Sequence, residues 1–414
     1  MPYFLRAAMC ATVLVSSASA HAQTQSLPLT LDDAIARAIA ASPVGEAFAA
    51  RADALIARRA AADTRPAASI DVLAENFGIG DSDLYRQFQI GAMYSQRIER
   101  GGKRAARVAL ADAELEVAAA EAFVRRLDIA STVQRLYVEV QAAEATIDIA
   151  KARVEIAEQL SREVGRRVSD ARDPLFAGTR ARTQLAEARV DLELAEHARD
   201  AAMKRLVALW DGDATGLSVS REDFLRFAPV DAGVPQSAAD LAVYEARQRR
   251  ASADITLQQA GARTDPTVSA GPRYIGTGDV ALVAGVSLPL ANRALNQANI
   301  ARAEAESRQA QADLAVERYQ RRQAIMLAAE KVEETAHEVE AVRDQVVPGA
   351  LKTLAEVRAG YNRGGFTFLD VSMAQVALHE ARARMVRVAI LHHQARVELD
   401  RLTGRFAPHL QGAE

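Results

Sequence analysis

The chain has 414 residues, with 51 lysines and arginines against 54 aspartates and glutamates, giving a formal net charge of −3. With no basic excess to neutralise phosphates, a nucleic-acid binder is excluded. Alanine fills 89 positions, aromatics make up 5% and cysteine occurs once; this is the composition of long helices packed at small-residue seams, not of a compact enzyme core.

Residues 1–22 have the pattern of a secretory leader. Arg6 supplies the positive start, Ala7 to Val15 form a short apolar run, and Ala20-His21-Ala22 is an A-x-A cleavage signal. Cys10 is followed by further apolar residues, which does not fit a lipid acceptor. With Cys10 removed, the mature chain has no disulfide, thiolate metal site or cysteine nucleophile. No later stretch reaches about 18 uncharged apolar residues, so any membrane insertion is expected as a β-barrel.

The remainder divides into two similar halves offset by about 190–200 residues. The first, residues 23–210, is expected to hold strands at about 68–76 and 88–98, then a helical hairpin over 103–210 that reverses near 170–174. Residues 211–236, rich in Gly, Asp, Ser and Pro, form a connector. The second half, residues 237–404, is expected to hold strands at about 267–274 and 281–290 and a hairpin over 295–403 that reverses near 363–366. Residues 405–414 are a tail. Proline is absent between Pro66 and Pro174 and between Pro289 and Pro348, so the first hairpin can contain a helix of some 65 residues, about 100 Å long, and the second a helix from roughly Asn296 to Val347 that continues to Tyr361. Pro66 and Pro266 stand where helix gives way to strand, because the residue before proline disfavours α geometry.

Alternation defines the strands. Ile90, Ala92 and Tyr94 fall on one face, with Gln89, Gly91 and Ser95 on the other and Met93 as an exception; Leu282, Ala284 and Val286 alternate with Gly285 and Ser287. Lengths of about 8–11 residues suit tilted membrane-spanning strands. Hairpins of a soluble α+β domain are the plainer reading of the same segments. Four strands cannot close a barrel, and open edges are not tolerated in lipid, so a membrane role requires several copies.

The residues that carry a family resemblance are Glu75-Asn76-Phe77-Gly78 and Ser95-Gln96-Arg97-Ile98-Glu99-Arg100-Gly101-Gly102-Lys103-Arg104 in the first half. In the second they are Val286-Ser287-Leu288-Pro289-Leu290, Tyr361-Asn362-Arg363-Gly364 and Phe368-Leu369-Asp370-Val371. From about Leu29 to Gly404 the chain resembles the TolC-type outer-membrane factor family, and within it the cobalt–zinc–cadmium efflux branch. The resemblance implies a mainly α fold with a small β-barrel contribution, built from duplicated helix–strand–strand–helix halves. It implies a homotrimer in which a 12-stranded outer-membrane barrel, in contact with lipid, continues as a periplasmic helical tunnel. It also implies partners, a periplasmic adaptor (membrane fusion protein) and an inner-membrane proton-driven transporter of the RND type. The work would be passive export, of heavy-metal cations in the first instance. A drug or solvent duct of the same family and a soluble periplasmic coiled-coil scaffold or adaptor are the alternatives.

Several positions stand out as candidate sites. Gly101, Gly102, Lys103 and Arg104 lack the phosphate-loop frame and read as a strand-to-helix turn. Asp173-Pro174 resembles a helix N-cap followed by proline at the first helical position. The resemblance makes Asp170, Asp173, Tyr361, Arg363 and Gly364 adaptor-docking residues at the two tips. It also makes Asp370 an aperture carboxylate, with Met373 where a second acid is common; a solvated helix charge is the equal alternative for Asp370. Pro348 is expected to break or kink its helix and let the inner coiled coil tilt. His392 and His393 point to different helix faces with no H-x-x-x-H spacing, so no metal site is expected. Neither a cofactor nor an enzyme active site is expected, since no nucleophile elbow or oxyanion signature occurs.

Overall fold

The computed structural model describes residues 28–76, 87–221, 224–227 and 238–408. The expected leader, the loop from Gly78 to Arg86, much of the connector and residues 409–414 lie outside that set. In chain order the helices are α1 (Leu31–Ala41), α2 (Val44–Ala62), α3 (Lys103–Ser169), α4 (Leu175–Val207), α5 (Ala238–Gly261), α6 (Arg293–Ala341), α7 (Val347–Asn362) and α8 (Phe368–Thr403). The strands are β1 (Ser69–Glu75) and β2 (Gln89–Arg97) between α2 and α3, and β3 (Thr267–Ile275) and β4 (Val280–Ser287) between α5 and α6.

α3 has 67 residues, about 100 Å of helix, and packs against α1, α2, α4, α5 and α8. Small side chains let these helices approach closely. On α4 the buried residues Ala181, Ala188, Ala195 and Ala202 recur every seven positions, the spacing that winds helices into a left-handed supercoil. Bulky side chains concentrate at the middle of the bundle, where Leu127, Val133, Tyr137, Val140, Leu206 and Val207 pack around α1. The Tyr137 hydroxyl donates to Leu29 O at 2.8 Å, and Leu29 pairs with Val219 of the connector, tying the chain start to the waist.

Charge also binds the waist together. Asp240 of α5 is buried and receives Arg321 of α6 and Arg401 of α8, the latter at 2.9 Å. Arg401 reaches on to Asp128 of α3 at 2.7 Å. At the position just before Arg401, buried Asp400 accepts from Gln134 at 2.8 Å and from Arg396 and Arg405 at 3.0 Å each.

The strands form one antiparallel sheet in the order β1-β2-β3-β4, so the two halves join through β2 and β3. The register resolves the two faces. Ile70 lies opposite Tyr94, Tyr94 opposite Ala270, and Ala270 opposite Ala284; Ile90 opposite Tyr274, and Tyr274 opposite Val280. Since directly opposed residues share a face, this side also carries Val72, Leu282, Val268 and Val286, all exposed. The other side carries Asp71, Glu75, Gln89, Ser95, Arg97, Ser269, Arg273 and Ser287. Leu73, Met93, Ile275 and Val283 are apolar members of this otherwise polar side, Leu73 being exposed. At Gly271 a Cβ would stand 1.8 Å from Ala92 O, so only glycine allows β2 to approach there.

β4 stops at Ser287, short of the expected 290. Ser287 is paired with Thr267, the first residue of β3, so residues beyond it have no partner, and Pro289 has no N–H to offer. The other correction concerns Pro348. α6 does not break; it passes through a π turn, Val342–Val346, directly into α7, with Pro348 in the first turn of α7. The Val347 N–H reaches back to Val342 O, one residue further than an α-helix would require. The wider turn accommodates a proline ring that would otherwise press on the carbonyl four residues earlier.

Candidate functional site

The turn from β2 into α3 uses glycine where glycine is required. Gly101 and Gly102 adopt φ of +78° and +76°, a region other L-residues enter at a cost. Lys103 Nζ then lies 2.7 Å from Asp265 Oδ2, and Arg104 Nε lies 2.7 Å from Asp63 Oδ1. The Arg100 N–H also donates to Asp265 Oδ1 at 2.9 Å. This turn therefore pins the first half to the second at the foot of the sheet. Bonds from Arg104 hold the Asp63 carboxyl below its ordinary range.

The far ends of both hairpins form the second cluster. At the first tip, Asp170 ends α3, and Ala171 follows with φ of +56°. The N–H groups of Arg172 and Asp173 fold back onto Arg167 O at 2.8 and 3.2 Å. At the second tip, Gly364 takes φ of +84°, and Gly365 N–H reaches Gly360 O at 2.9 Å. Gly360 has no side chain to obstruct the Phe366 ring, which would meet a Cβ at 2.1 Å.

Three side chains lock these tips together. Arg167 Nε donates to Asp173 Oδ2 at 3.0 Å, and its guanidinium lies 4.3 Å from the centre of the Tyr361 ring. Arg167 also donates to Tyr361 O at 3.2 Å, while the Tyr361 hydroxyl donates to Asp173. Burial raises the Asp173 carboxyl, but bonds from Arg167 and Tyr361 outweigh it and leave the group below its ordinary range. Burial and the Asp173 bond push the Tyr361 phenol far above its usual value. Arg358 extends the contact, donating to Gln159 at 2.9 Å and to Glu163 at 3.1 Å.

Two expectations are corrected here. Asp173 does not cap α4: Pro174 occupies the cap position, and α4 has no side-chain cap bond. The Asp173 carboxylate is committed to Arg167 and Tyr361 instead. Tyr361 does not face a partner, because it is 1% exposed; its ring is enclosed between the hairpins. Asp170, Arg363 and Gly364 are exposed. Arg167 is the residue that sequence alone passes over, since nothing near it in the chain reveals a partner 194 positions away.

Asp370 stands at the start of α8, at the tip itself. Its carboxylate accepts from the Thr367 N–H at 2.8 Å and from Thr367 Oγ1 at 2.7 Å, while Thr367 caps the Asp370 N–H, making a complete capping box. The Thr367 hydroxyl, then its N–H, holds Asp370 below the ordinary carboxylate range. One turn on, Met373 is 64% exposed. Leu175, Phe176, Phe366 and Leu369 are also exposed around the two tips, giving them an apolar margin.

The histidine pair serves the waist. His392 is buried, its Nδ1 within 3.2 Å of Val332 O, and His393 Nε2 lies 2.9 Å from Phe224 O. Among the described residues no three His, Cys, Asp or Glu side chains converge as a metal site, and no helix is long and apolar enough to cross a membrane.

Residues 34–212 match the family profile described as outer membrane efflux protein. The cobalt–zinc–cadmium resistance protein CzcC of Cupriavidus metallidurans is 27% identical over 315 residues, 74% of this chain and 75% of that protein. Among solved structures, that of CusC superposes with a TM-score of 0.72 at 17% identity, covering 97% of this chain and 98% of that one. The outer membrane protein VceC of Vibrio cholerae gives 0.69 at 19% identity, covering 90% and 96%. At these identities the structures speak for the fold, and they share its mainly helical architecture with a small sheet. Over residues 34–212 the chain is similar to the outer membrane efflux protein family.

Proposed function

We propose that several copies of this chain, three by the family resemblance, join their sheets edge to edge in the outer membrane. With three copies the wall has twelve strands, and the helices continue it as a tunnel through the periplasm. The single observation carrying this reading is the sheet, with one apolar exposed face, one polar face and two unpaired edges. A sheet like that is stable in lipid only when both edges find partners, with the apolar side outward and the polar side lining water. The object is a passive efflux duct with no chemistry of its own, served by a periplasmic adaptor and an inner-membrane transporter.

The cargo we infer is heavy-metal cations, on the strength of the relative named for cobalt, zinc and cadmium resistance. Within this reading the two tips form the periplasmic mouth, and the Arg167–Asp173–Tyr361 contact holds it narrow. Asp370 and Met373 border the aperture, while Asp170, Arg363 and Gly364, with the apolar margin, meet the adaptor. The test has two parts. Purified protein should migrate as a trimer and conduct ions in planar bilayers; a monomer in the soluble periplasmic fraction would defeat the duct. Deleting the gene should sensitise cells to zinc, cobalt or cadmium. Sensitivity to dyes alone would replace the metal cargo with a drug.

A further inference from the structure

A cavity of about 170 Å³ lies between the first hairpin and α8, lined by Ile156 of α3, Gln184 and Glu187 of α4, and Ser372, Gln375 and His379 of α8. It occupies the seam between the hairpins, within four turns of the tips. Gln184 Nε2 donates to Ser372 Oγ at 2.5 Å across that seam. Two polar atoms here are buried with no hydrogen-bond partner, Gln184 Oε1 and His379 Nδ1. A neutral imidazole can leave one nitrogen unpaired at modest cost; an imidazolium cannot, because it buries a charge together with an unmet N–H.

The charges around His379 are Arg153 of α3, Glu187 and Asp191 of α4, and Glu380 and Arg382 on its own helix. Arg153 is already bound to Asp191, so that carboxylate is partly neutralised. Burial first, and then Arg153, holds the imidazole below its ordinary value of 6.5, with Asp191 and Glu380 pulling weakly the other way. The sign follows by linkage. A histidine that charges more easily once the seam opens leaves the closed seam at full strength above about pH 6.5, and weakens it as pH falls below that value.

We propose that His379 makes this seam acid-labile, so that its protonation parts the first hairpin from α8 and widens the periplasmic mouth. The proposal rests on the duct reading for its consequence, though not for its movement. Asp173 of the tip contact stays ionised throughout this range, so acid acts first at the seam, and the widening loads the Arg167–Asp173–Tyr361 lock without discharging it.

The test compares the full chain with His379→Gln, at about pH 7.5 and about pH 5.5. In planar bilayers the unmodified protein should spend several-fold more time open at the lower pH, and His379→Gln should keep its higher-pH behaviour. A flat response in the unmodified protein, or an undiminished one in the variant, overturns the proposal. Spin labels on Thr183→Cys of α4 and Ala377→Cys of α8, both at exposed positions, read the movement without any current. Their separation should lengthen on acidification, and not in the His379→Gln background. Absence of conductance at either pH would remove the duct reading, and the label distance would then decide the acid-labile seam alone; a distance that ignores pH overturns it.

Discussion

The Tyr361 hydroxyl donates to the Asp173 carboxylate across the two hairpin tips, joining residues 188 positions apart. Arg167 completes the contact from beneath, so the carboxylate has one charged and one neutral donor. Tyr361→Phe removes a hydrogen bond to a charged group, worth about 1.5–3 kcal/mol, while keeping the ring and its stacking on Arg167. We expect a larger single-channel conductance from this variant and little change in overall melting. Asp173 gains stability in the folded state above its ordinary titration near 3.8 and loses it as pH falls below that, so conductance of the Tyr361→Phe variant should be insensitive to this group above about pH 5.

Ala171 holds φ of +56° with a Cβ present. Glycine at that position removes the steric penalty of the left-handed region, at some entropic cost in the unfolded chain. Ala171→Gly should therefore stabilise the first tip by about 1 kcal/mol. Slower hydrogen exchange of the Arg172 and Asp173 amides, which close the turn on Arg167 O, would report it.

At the waist, Asp240 neutralises Arg321 and Arg401 where solvent hardly reaches, its side chain being 10% exposed. Removing it leaves two arginines facing each other with reduced compensation, and breaking such a buried pair costs about 3–5 kcal/mol. Asp240→Ala should lower the melting temperature clearly. Glu245→Ala, which breaks a 2.9 Å pair with Arg318 on an exposed surface, should cost less than about 1 kcal/mol.

Pro348→Ala restores a backbone donor and removes the ring that the π turn accommodates. The turn should tighten to α geometry, with a gain of about 1–3 kcal/mol from replacing proline in a helix. A π turn that persists would mean that the contact of Arg343 with Leu225 O, at 3.4 Å, sets the geometry instead. Channel recordings of the same variant ask whether the turn is needed for opening: a hinge would yield fewer openings when straightened.

The two sides of β4 should respond oppositely to charge. Leu282 is 81% exposed on the apolar face, and an arginine there would cost about 2–4 kcal/mol in the bilayer midplane. Leu282→Arg should reduce the amount recovered from outer membrane, whereas Ser287→Arg, on the polar face of the same strand, should be recovered normally. Equal recovery would mean that the apolar face does not meet lipid.

Much of this was legible in the residues. Strand ends fell within about a residue for β1 to β3, because alternation marks the faces and Pro66 and Pro266 mark the helix ends. Pairing order was not legible: nothing local says that β2 should meet β3, and that junction depends on Gly271, whose importance comes from the neighbouring backbone. Asp173 misled because an Asp-Pro pair has the form of a cap, and only the position of Arg167 and Tyr361 shows where its charge is used. Tyr361 was misplaced for a related reason, since a residue near a tip in sequence can still be enclosed between two tips in space. For Pro348 the sequence offers a break or a kink, and the helix continues because it absorbs the proline by adding one residue to a turn.

Among the described residues, β1 and β4 each leave one edge of the sheet without a partner. On the duct reading, a lone chain would have to carry those bare amides and carbonyls into hydrocarbon, so its insertion should wait until it meets others. Arrival in the membrane is then a collision-limited event, and the yield of finished ducts should rise more steeply than the first power of the amount of chain made. On that reading, a cell that halves synthesis of this protein should lose more than half of its ducts, and an excess of assembly-incompetent chains with one spoiled edge should poison the intact ones.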